Sequence, residues 1–426
     1  MKASAGRVLM LVENCFPADT RVRNEAVTLA RNGYDVSVVA LRKPGEPARE
    51  IVSGVSVYRI PRLTVFQKLP TGTPSRIGAA LNKVRVLVGY VTEYLYFSSA
   101  CLVMSLYLAA TKGIDVVHAH NPPDTLFIVG AVYRLLGKKY VFDHHDLSPE
   151  LYRSRYGTGS ALVLRGLRLC ETLSLKLASV VIATNESYKS IDIERNALDP
   201  NKVFIVRNGP DLTRVRLVEP DRALKESGKT ILGYVGAMNP QDGVDHLLRA
   251  LGHLRYTLNR TDFHCVLIGD GDSREELISQ AAALKITDQV FFTGFIPDDD
   301  MVRYLSTSDV CMDPNPSSPL NDVSTWIKVM EYMALGKPII SFDLKETRVS
   351  AGQAALFVTP NDDAKFAAAI AELMDDPVRR TQMGEYGRAR VQSDLGWHVT
   401  SLNLLRAYDY LFARTPQRHA DRARVA

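Results

Sequence analysis

Short runs of β-branched residues alternate with helical stretches from one end of this chain to the other, and that alternation decides the fold class. In the first half, strand-length apolar runs fall at residues 8–12, 36–41, 55–60, 116–120, 140–144, 180–184 and 203–206. Helical patterns separate most of them, at 22–31, 77–110, 126–136, 162–178 and 186–196. The second half repeats the grammar, with strands expected at 231–235, 265–268, 290–293, 310–312 and 338–342. Strand-helix-strand repetition implies parallel sheets with right-handed crossovers, hence α/β domains of the doubly wound, Rossmann-like kind. At 426 residues the chain exceeds one ordinary core, so two such domains are expected. The pattern breaks at Asn208-Gly209-Pro210-Asp211, and a charged connector follows. This divides the chain into 1–208, 209–395, and a last helix with a basic tail, 396–426.

Charge and cysteine usage exclude several classes. A net charge of +5 over this length is mild, and aromatic-rich basic patches are lacking, so no nucleic-acid partner is expected. Cys15, Cys101, Cys170, Cys265 and Cys311 are scattered without short pairwise spacing, which suits a reducing compartment, the cytoplasm. The apolar run at 8–12 is too short for a secretory leader. The stretch 86–110 is long enough for a membrane span but carries Glu93, Tyr, Ser and Thr, and reads as a long buried or half-buried helix. Arg59, Arg62, Lys68, Arg76, Lys83 and Arg85 make the stretch 59–85 basic. A solvated face is the default, and peripheral contact with an anionic membrane the alternative.

In doubly wound sheets, ligands bind outside the carboxyl ends of the strands. Thr20 and Arg21 follow the first strand. His118, His120 and Asn121 follow another, and His144 and His145 a third. Alternation along a strand places His118 and His120 on one side. No HExxH or Cys/His spacing accompanies these histidines, so no metal is expected. An imidazole there suits contact with a substrate hydroxyl at an ordinary pKa. Gly269-Asp270-Gly271 opens like a dinucleotide fingerprint, but Arg274 stands where the third glycine belongs.

The most informative segment is 313–343, DPNPSSPLNDVSTWIKVMEYMALGKPIISFD. Ser324 and Thr325 are good N-cap types for a helix stopped by Gly336 and Pro338. On such a helix Ser324, Lys328 and Glu331 share one face of an otherwise apolar surface. Lys328 and Glu331 pairing with each other is the plain explanation. The functional one is an anion at the helix start, with the carboxylate deeper in accepting hydroxyl hydrogen bonds. Diphosphate plus polyol describes a nucleotide sugar.

Taken in order, DVVHAHNPPD (115–124), VFDHHD (141–146), VRNGPD (206–211), LGYVGAMNPQDGVDHLLRAL (232–251), VLIGDG (266–271), VFFTGFIP (290–297), SDVCMDP (308–314) and KVMEYMALGKPIISFD (328–343) resemble the family 4 glycosyltransferases of GT-B fold. The resemblance covers nearly the whole chain. It implies two Rossmann-like domains facing a central cleft. It also implies a retaining, metal-independent transferase with no cofactor beyond its nucleoside-diphosphate sugar donor, acting on a sugar or lipid-linked sugar in polysaccharide or glycoconjugate synthesis. By position, Glu331 matches the family's ribose-binding glutamate, His120 the histidine near the reacting centre, and Ile296 the backbone site of the base. Arg21, Asn208, Gly236, Gly271, Asp322, Ser324, Thr325 and Lys328 join the donor set. Asn121, His144 and His145 join His120 on the acceptor side. Two departures matter. Val323 stands where the family has a second acid, beside Asp322, and Ala237 and Asp242 replace its usual Arg and Lys. Lys328 is expected to supply the missing charge. The alternatives are a catalytically silent sugar-nucleotide-binding protein and a sugar-nucleotide epimerase on the same fold.

Overall fold

The structure, a computed structural model, describes residues 4–63, 76–157 and 160–413. They divide into two compact units. The first takes residues up to 149, 160–206 and those from Asn403 on; the second takes 150–157 and 207–402.

The first unit is an eight-stranded sheet. Its strands are β1 (Arg7–Cys15), β2 (Asp35–Arg42), β3 (Arg49–Val52), β4 (Val55–Pro61), β5 (Val116–His120), β6 (Lys139–His144), β7 (Val180–Ala183) and β8 (Val203–Ile205). The order is β3-β4-β2-β1-β5-β6-β7-β8, parallel except for β3 against β4. The connecting helices are α1 (Thr20–Arg31), α2 (Arg76–Thr111), α3 (Phe127–Leu135), α5 (Ala161–Leu177) and α6 (Glu186–Asn196), while α4 (Ser148–Tyr156) starts here and has most of its residues in the second unit. Strands β1, β5, β6 and β7 are buried nearly throughout, as parallel strands covered on both faces must be. The polar edge strand β3 alternates exposed and half-buried positions and is not expected from the sequence.

The second unit is a parallel six-stranded sheet, with β9 (Thr230–Val235), β10 (Phe263–Ile268), β11 (Val290–Gly294), β12 (Val310–Asp313), β13 (Ile339–Phe342) and β14 (Ala355–Val358). Their order is β11-β10-β9-β12-β13-β14. Helices α7 (Arg222–Glu226), α8 (Val244–Tyr256), α9 (Arg274–Ala283), α10 (Asp298–Thr307), α11 (Ile327–Ala334), α12 (Lys345–Ala351), α13 (Asp363–Asp375) and α14 (Pro377–Arg390) accompany it. Strand periodicity splits its core in two. Leu232, Cys265 and Leu267 face one cluster, while Ile231, Val266 and Ile268 face the other. Helix α15 (Trp397–Leu411) follows, and its Asn403 donates to the Ile205 carbonyl at 3.0 Å.

Each sheet has one place where the strand order reverses, between β1 and β5 in the first and between β9 and β12 in the second. Both are topological switch points, where loops diverge to opposite faces and leave room for a ligand.

Several expectations need correction. The 313–343 helix starts at Ile327, not at Ser324. A short 3-10 turn, Asn321–Val323, comes first, and Ser324 closes it in extended backbone with its hydroxyl on the Leu320 carbonyl at 2.7 Å. Ser324 is therefore off the helix face that carries Lys328 and Glu331. In the basic stretch, Arg59 is buried and ion-paired with Glu46 and Glu50, so it faces no lipid. Lys68 and the tail from 414 lie outside the described residues, as do the side chains of Arg76 and Lys83.

Candidate active site

At the switch point of the first sheet a polar network is fully enclosed. The Arg21 guanidinium grips Asp143 with two parallel hydrogen bonds, at 2.7 and 2.6 Å, and donates to the Val206 carbonyl at 3.0 Å. One turn on, Glu25 lies 3.3 Å from the same guanidinium. Arg21, Glu25, His118, His120 and Asp143 are all buried. The alternation along β5 stacks the rings of His118 and His120 4.4 Å apart. The His120 Nδ1 meets Asp143 at 2.8 Å, and the His118 Nδ1 meets the Tyr408 hydroxyl at 3.0 Å.

These contacts overturn two expectations. Arg21 is a structural cation, already committed to buried carboxylates and carbonyl. The start of α1 is filled too, since the Asp19 carboxylate caps the Val22 amide at 3.0 Å. Nor is His120 an ordinary imidazole: burial lowers its pKa, outweighing the lift from Asp143. His118 falls further, through burial and the neighbouring His120. Burial opposes charge on Asp143 as well, but Arg21 beside it keeps it well below the usual carboxylate range. Glu25 moves the other way, through burial and the Asp143 charge.

One ligand atom each from Glu25, His118, His120 and Asp143 falls within 4.8 Å of the others. This is a different set from the four histidines weighed above, since His144 lies elsewhere. The guanidinium of Arg21 already balances its carboxylates, which makes the cluster a poor cation site. The Nε2 atoms of both histidines and both Glu25 oxygens are nevertheless buried with no hydrogen-bond partner among the described residues.

The remaining acceptor-side residues are placed by structural roles. Asn121 staples its loop: it donates to Asp124 at 3.0 Å and accepts from the His145 and Asp146 amides. His144 is buried against Asp192 at 2.7 Å. Burial opposes its protonation, but the Asp192 charge prevails and lifts its pKa to about 9. Only His145 keeps a partly exposed side chain, 18%.

The second switch point is built differently. Lys328 sits in the first turn of α11 with its Nζ 3.4 Å from Asp313, at the end of β12. The ammonium also lies 4.8 Å from the centre of the Tyr234 ring, on β9, and 5.5 Å from that of Trp326. Asp242 is close enough for Lys328 to pull its pKa down, though burial raises it overall. The acid that replaces the family's lysine thus faces a lysine supplied from another element. Lys328 and Glu331 do not pair with each other. Glu331 instead accepts from Arg214 at 2.8 Å, and Arg214 also meets Asp298 at 2.9 Å. Burial raises the Glu331 pKa against the pull of Arg214. Asp298 opens α10 two residues past the half-buried Ile296.

The loops after β9 and β12 are locked together. Asn315 and Asn321 both donate to the Gln241 carbonyl, at 3.1 and 2.9 Å. Asp322 is half-buried and accepts from the Ser317 hydroxyl at 3.2 Å. Thr325 and Asn208 are half-buried in their loops. Gly271 has a structural reason: a Cβ on it would lie 2.6 Å from the Met238 backbone. Gly236, at φ +154°, closes against the Ile268 carbonyl, and a Cβ there would meet the Tyr234 hydroxyl at 2.8 Å. Sequence reasoning missed Glu25, Arg214, Asp298, Asp313 and Tyr408. Glu25 alone had a local signal, four residues after Arg21 on the same helix face.

Comparison with known proteins agrees with this layout. The Glycosyl transferase 4-like domain matches residues 18–209 and Glycosyl transferases group 1 matches residues 216–390. An MMP alpha-(1->4)-mannosyltransferase of Mycolicibacterium hassiacum is 24% identical over 416 residues, 94% of this chain and 96% of that one. Other curated relatives are matched over 60% and 48% of their own length. Among solved structures, sucrose-phosphate synthase from Thermosynechococcus elongatus superposes with a TM-score of 0.72 at 19% identity, covering 96% of this chain and 99% of that one. Anabaena HepE in complex with UDP-glucose gives a TM-score of 0.68 at 16% identity, covering 96% and 100%. Two parallel α/β sheets, each with its polar residues gathered at a switch point, and two consecutive family matches make one assignment: this chain belongs to the GT-B glycosyltransferases, with a Glycosyl transferase 4-like domain followed by a Glycosyl transferases group 1 domain.

Proposed function

We propose that this glycosyltransferase moves a hexosyl unit from a nucleoside-diphosphate sugar to an acceptor hydroxyl with retention of configuration. The acceptor is a sugar or a lipid-linked sugar in polysaccharide or glycoconjugate synthesis at the cytoplasmic side of a membrane. The observation that carries the donor reading is Lys328, a buried ammonium in the first turn of α11 at the β9/β12 switch point, where free N–H groups favour an anion. Departure of the diphosphate leaves oxocarbenium character on the sugar, and positioned positive charge lowers the cost of that separation. Glu331, behind Lys328 on the same helix, holds an acceptor oxygen for ribose hydroxyls, with Arg214 fixing its orientation. Neutral His120, donating through Nδ1 to Asp143, keeps a buried, unpartnered Nε2 lone pair that would accept from a substrate hydroxyl once the enclosing residues give way. Support for the donor class comes from HepE, solved with UDP-glucose, and for a lipid acceptor from a related phosphatidylinositol monomannoside mannosyltransferase of Corynebacterium glutamicum.

The test is a panel of sugar nucleotides incubated with the chain, followed by assay of the freed nucleoside diphosphate. Slow hydrolysis of one donor is expected. Binding without hydrolysis or transfer makes the chain a silent sugar-nucleotide binder, and interconversion of the sugar makes it an epimerase. No metal cofactor is proposed, so the same activity is expected to persist in a strong chelator. Abolition by EDTA with rescue by one divalent ion would return Glu25, His118, His120 and Asp143 to consideration as a metal centre.

A further inference from the structure

Helix α2 has two unlike faces. Phe97, Cys101, Ser105 and Leu108 recur at i, i+4, i+8 and i+11 and are buried, so this stripe seats the helix within its unit. On the far side Val88, Leu95, Val103 and Leu106 stand open to solvent, at 50%, 47%, 70% and 46% exposure. The outer face of a helix in a doubly wound domain is ordinarily charged. Here the only charged residue between Val88 and Thr111 is Glu93, which is half-buried toward the packed side. The segment Val88–Thr111 is long and apolar enough to cross a membrane, yet only 28% of its most apolar window is buried. Seated along one face as it is, α2 lies flat and presents an apolar ridge about 27 Å long from Val88 to Leu106.

The neighbouring helices extend that surface. Helix α3 packs against both α2 and α5. At its end Leu135 and Leu136 are 88% and 59% exposed, and on α5 Leu162 and Leu169 are 78% and 59% exposed. The exposed charges on α3 and α5 are all cationic: Arg134, Arg165, Arg168 and Lys176. Their single acid, Glu171, is buried and held by Arg195. Leu162, Arg165 and Leu169 fall at i, i+3 and i+7, so leucine and arginine alternate along one exposed line.

We infer that the outer face of α2, α3 and α5 docks on the surface of an anionic lipid bilayer. Exposed leucine and valine enter the acyl boundary, while the arginines stay at the level of the phosphates. Charge complementarity selects this occupant. A second copy of the chain would bring the arginines of the face against their own like charges, whereas an anionic bilayer meets them with opposite charge. The surface differs from the basic stretch 59–85, where Arg59 is consumed internally. This inference deepens the lipid-linked acceptor reading and rests on it only for its biological purpose.

The experiment is sedimentation of the full chain with vesicles of phosphatidylcholine alone or mixed with phosphatidylglycerol. Binding is expected to rise with phosphatidylglycerol and to fall with salt. Leu95→Glu with Leu106→Glu is expected to abolish it, and Arg165→Gln with Arg168→Gln to weaken it by about fivefold per arginine. All these positions are exposed, so circular dichroism and vesicle-free donor hydrolysis should match the parent chain. Equal binding to neutral and anionic vesicles, or unchanged binding in the leucine variant, overturns the inference. So does a solution dimer split by the same substitutions, which would give the face to a second copy. A chain that binds anionic vesicles but hydrolyses no sugar nucleotide refutes the donor reading and leaves the docking surface standing.

Discussion

The two switch points occupy equivalent places in two doubly wound sheets, yet they treat charge in opposite ways. At β1/β5 the cation is spent: Arg21 holds Asp143 in a two-pronged pair, Glu25 backs it, and the histidines around them are driven toward neutrality. At β9/β12 the cation is a point charge, 3.4 Å from one aspartate and resting on aromatic faces. A guanidinium clamped at both edges has few donors left for a ligand, whereas an ammonium has three and re-aims readily. The first site is therefore chiefly a scaffold that sets the Nε2 of His120, and the second keeps the cation that the proposed function assigns to an incoming anion.

That contrast is broken most directly at Arg21. Arg21→Ala leaves Asp143 buried without its cation, which costs about 3–5 kcal/mol. The expected result is a large fall in the denaturant midpoint of the first unit, with residual activity tracking the folded fraction. A variant as stable as the parent but unable to transfer sugar would make Arg21 part of the donor site. Lys328→Ala is the mirror experiment. Stability is expected to change less, because Lys328 meets Asp313 through a single 3.4 Å contact rather than a two-pronged hydrogen-bonded pair. Turnover is expected to fall a few hundredfold or more, the equivalent of about 3–5 kcal/mol of transition-state stabilisation. Near-normal turnover would reduce Lys328 to a structural partner of Asp313.

Glu331→Ala sharpens the second site further. It removes the carboxylate proposed for the ribose while Arg214 keeps Asp298 as a partner. Hydrogen bonds to a charged group contribute about 1.5–3 kcal/mol, so calorimetry should show nucleoside-diphosphate affinity at least about tenfold weaker. Unchanged affinity would mean that Glu331 only anchors Arg214.

Much of this was legible in the sequence because parallel strands buried on both faces leave unbroken apolar runs. The helix expected at 77–110 is α2, Arg76–Thr111, and that at 186–196 is α6, Glu186–Asn196. Two strands escaped for physical reasons. β3 is a polar edge strand, and β14 is only four residues long and follows helical residues. The site was half legible. Positions at strand ends could be named, but their partners come from distant segments: Asp143 stands 122 residues from Arg21, and Glu331 stands 117 from Arg214. Local pattern carries no information about such pairings. It also misplaced the start of α11, since Ser324 and Thr325 are good capping types but a 3-10 turn had already used the hydroxyl of Ser324.

The last contrast concerns pH, and it separates two kinds of buried histidine within the first unit. His144 has its pKa raised from 6.5 to about 9 by Asp192. Because the folded value exceeds the unfolded one, its stabilisation is complete below pH 6.5 and is lost as pH rises through about 9. His118 and His120 are shifted the other way, so the unfolded chain binds more protons than the folded one as pH drops below 6.5. They cost stability on the acid side. Together the two groups predict a stability maximum near neutrality, with an alkaline slope owed to His144 and part of the acid slope owed to the stacked pair. Any acid limb in activity that depends on His120 should likewise lie below its ordinary value of 6.5. Denaturant midpoints measured from about pH 5 to 9.5 test this. His144→Gln should flatten the alkaline slope and leave the acid one in place. If both slopes persist, the His144–Asp192 pair is not the group that titrates, and the raised pKa assigned to it is wrong.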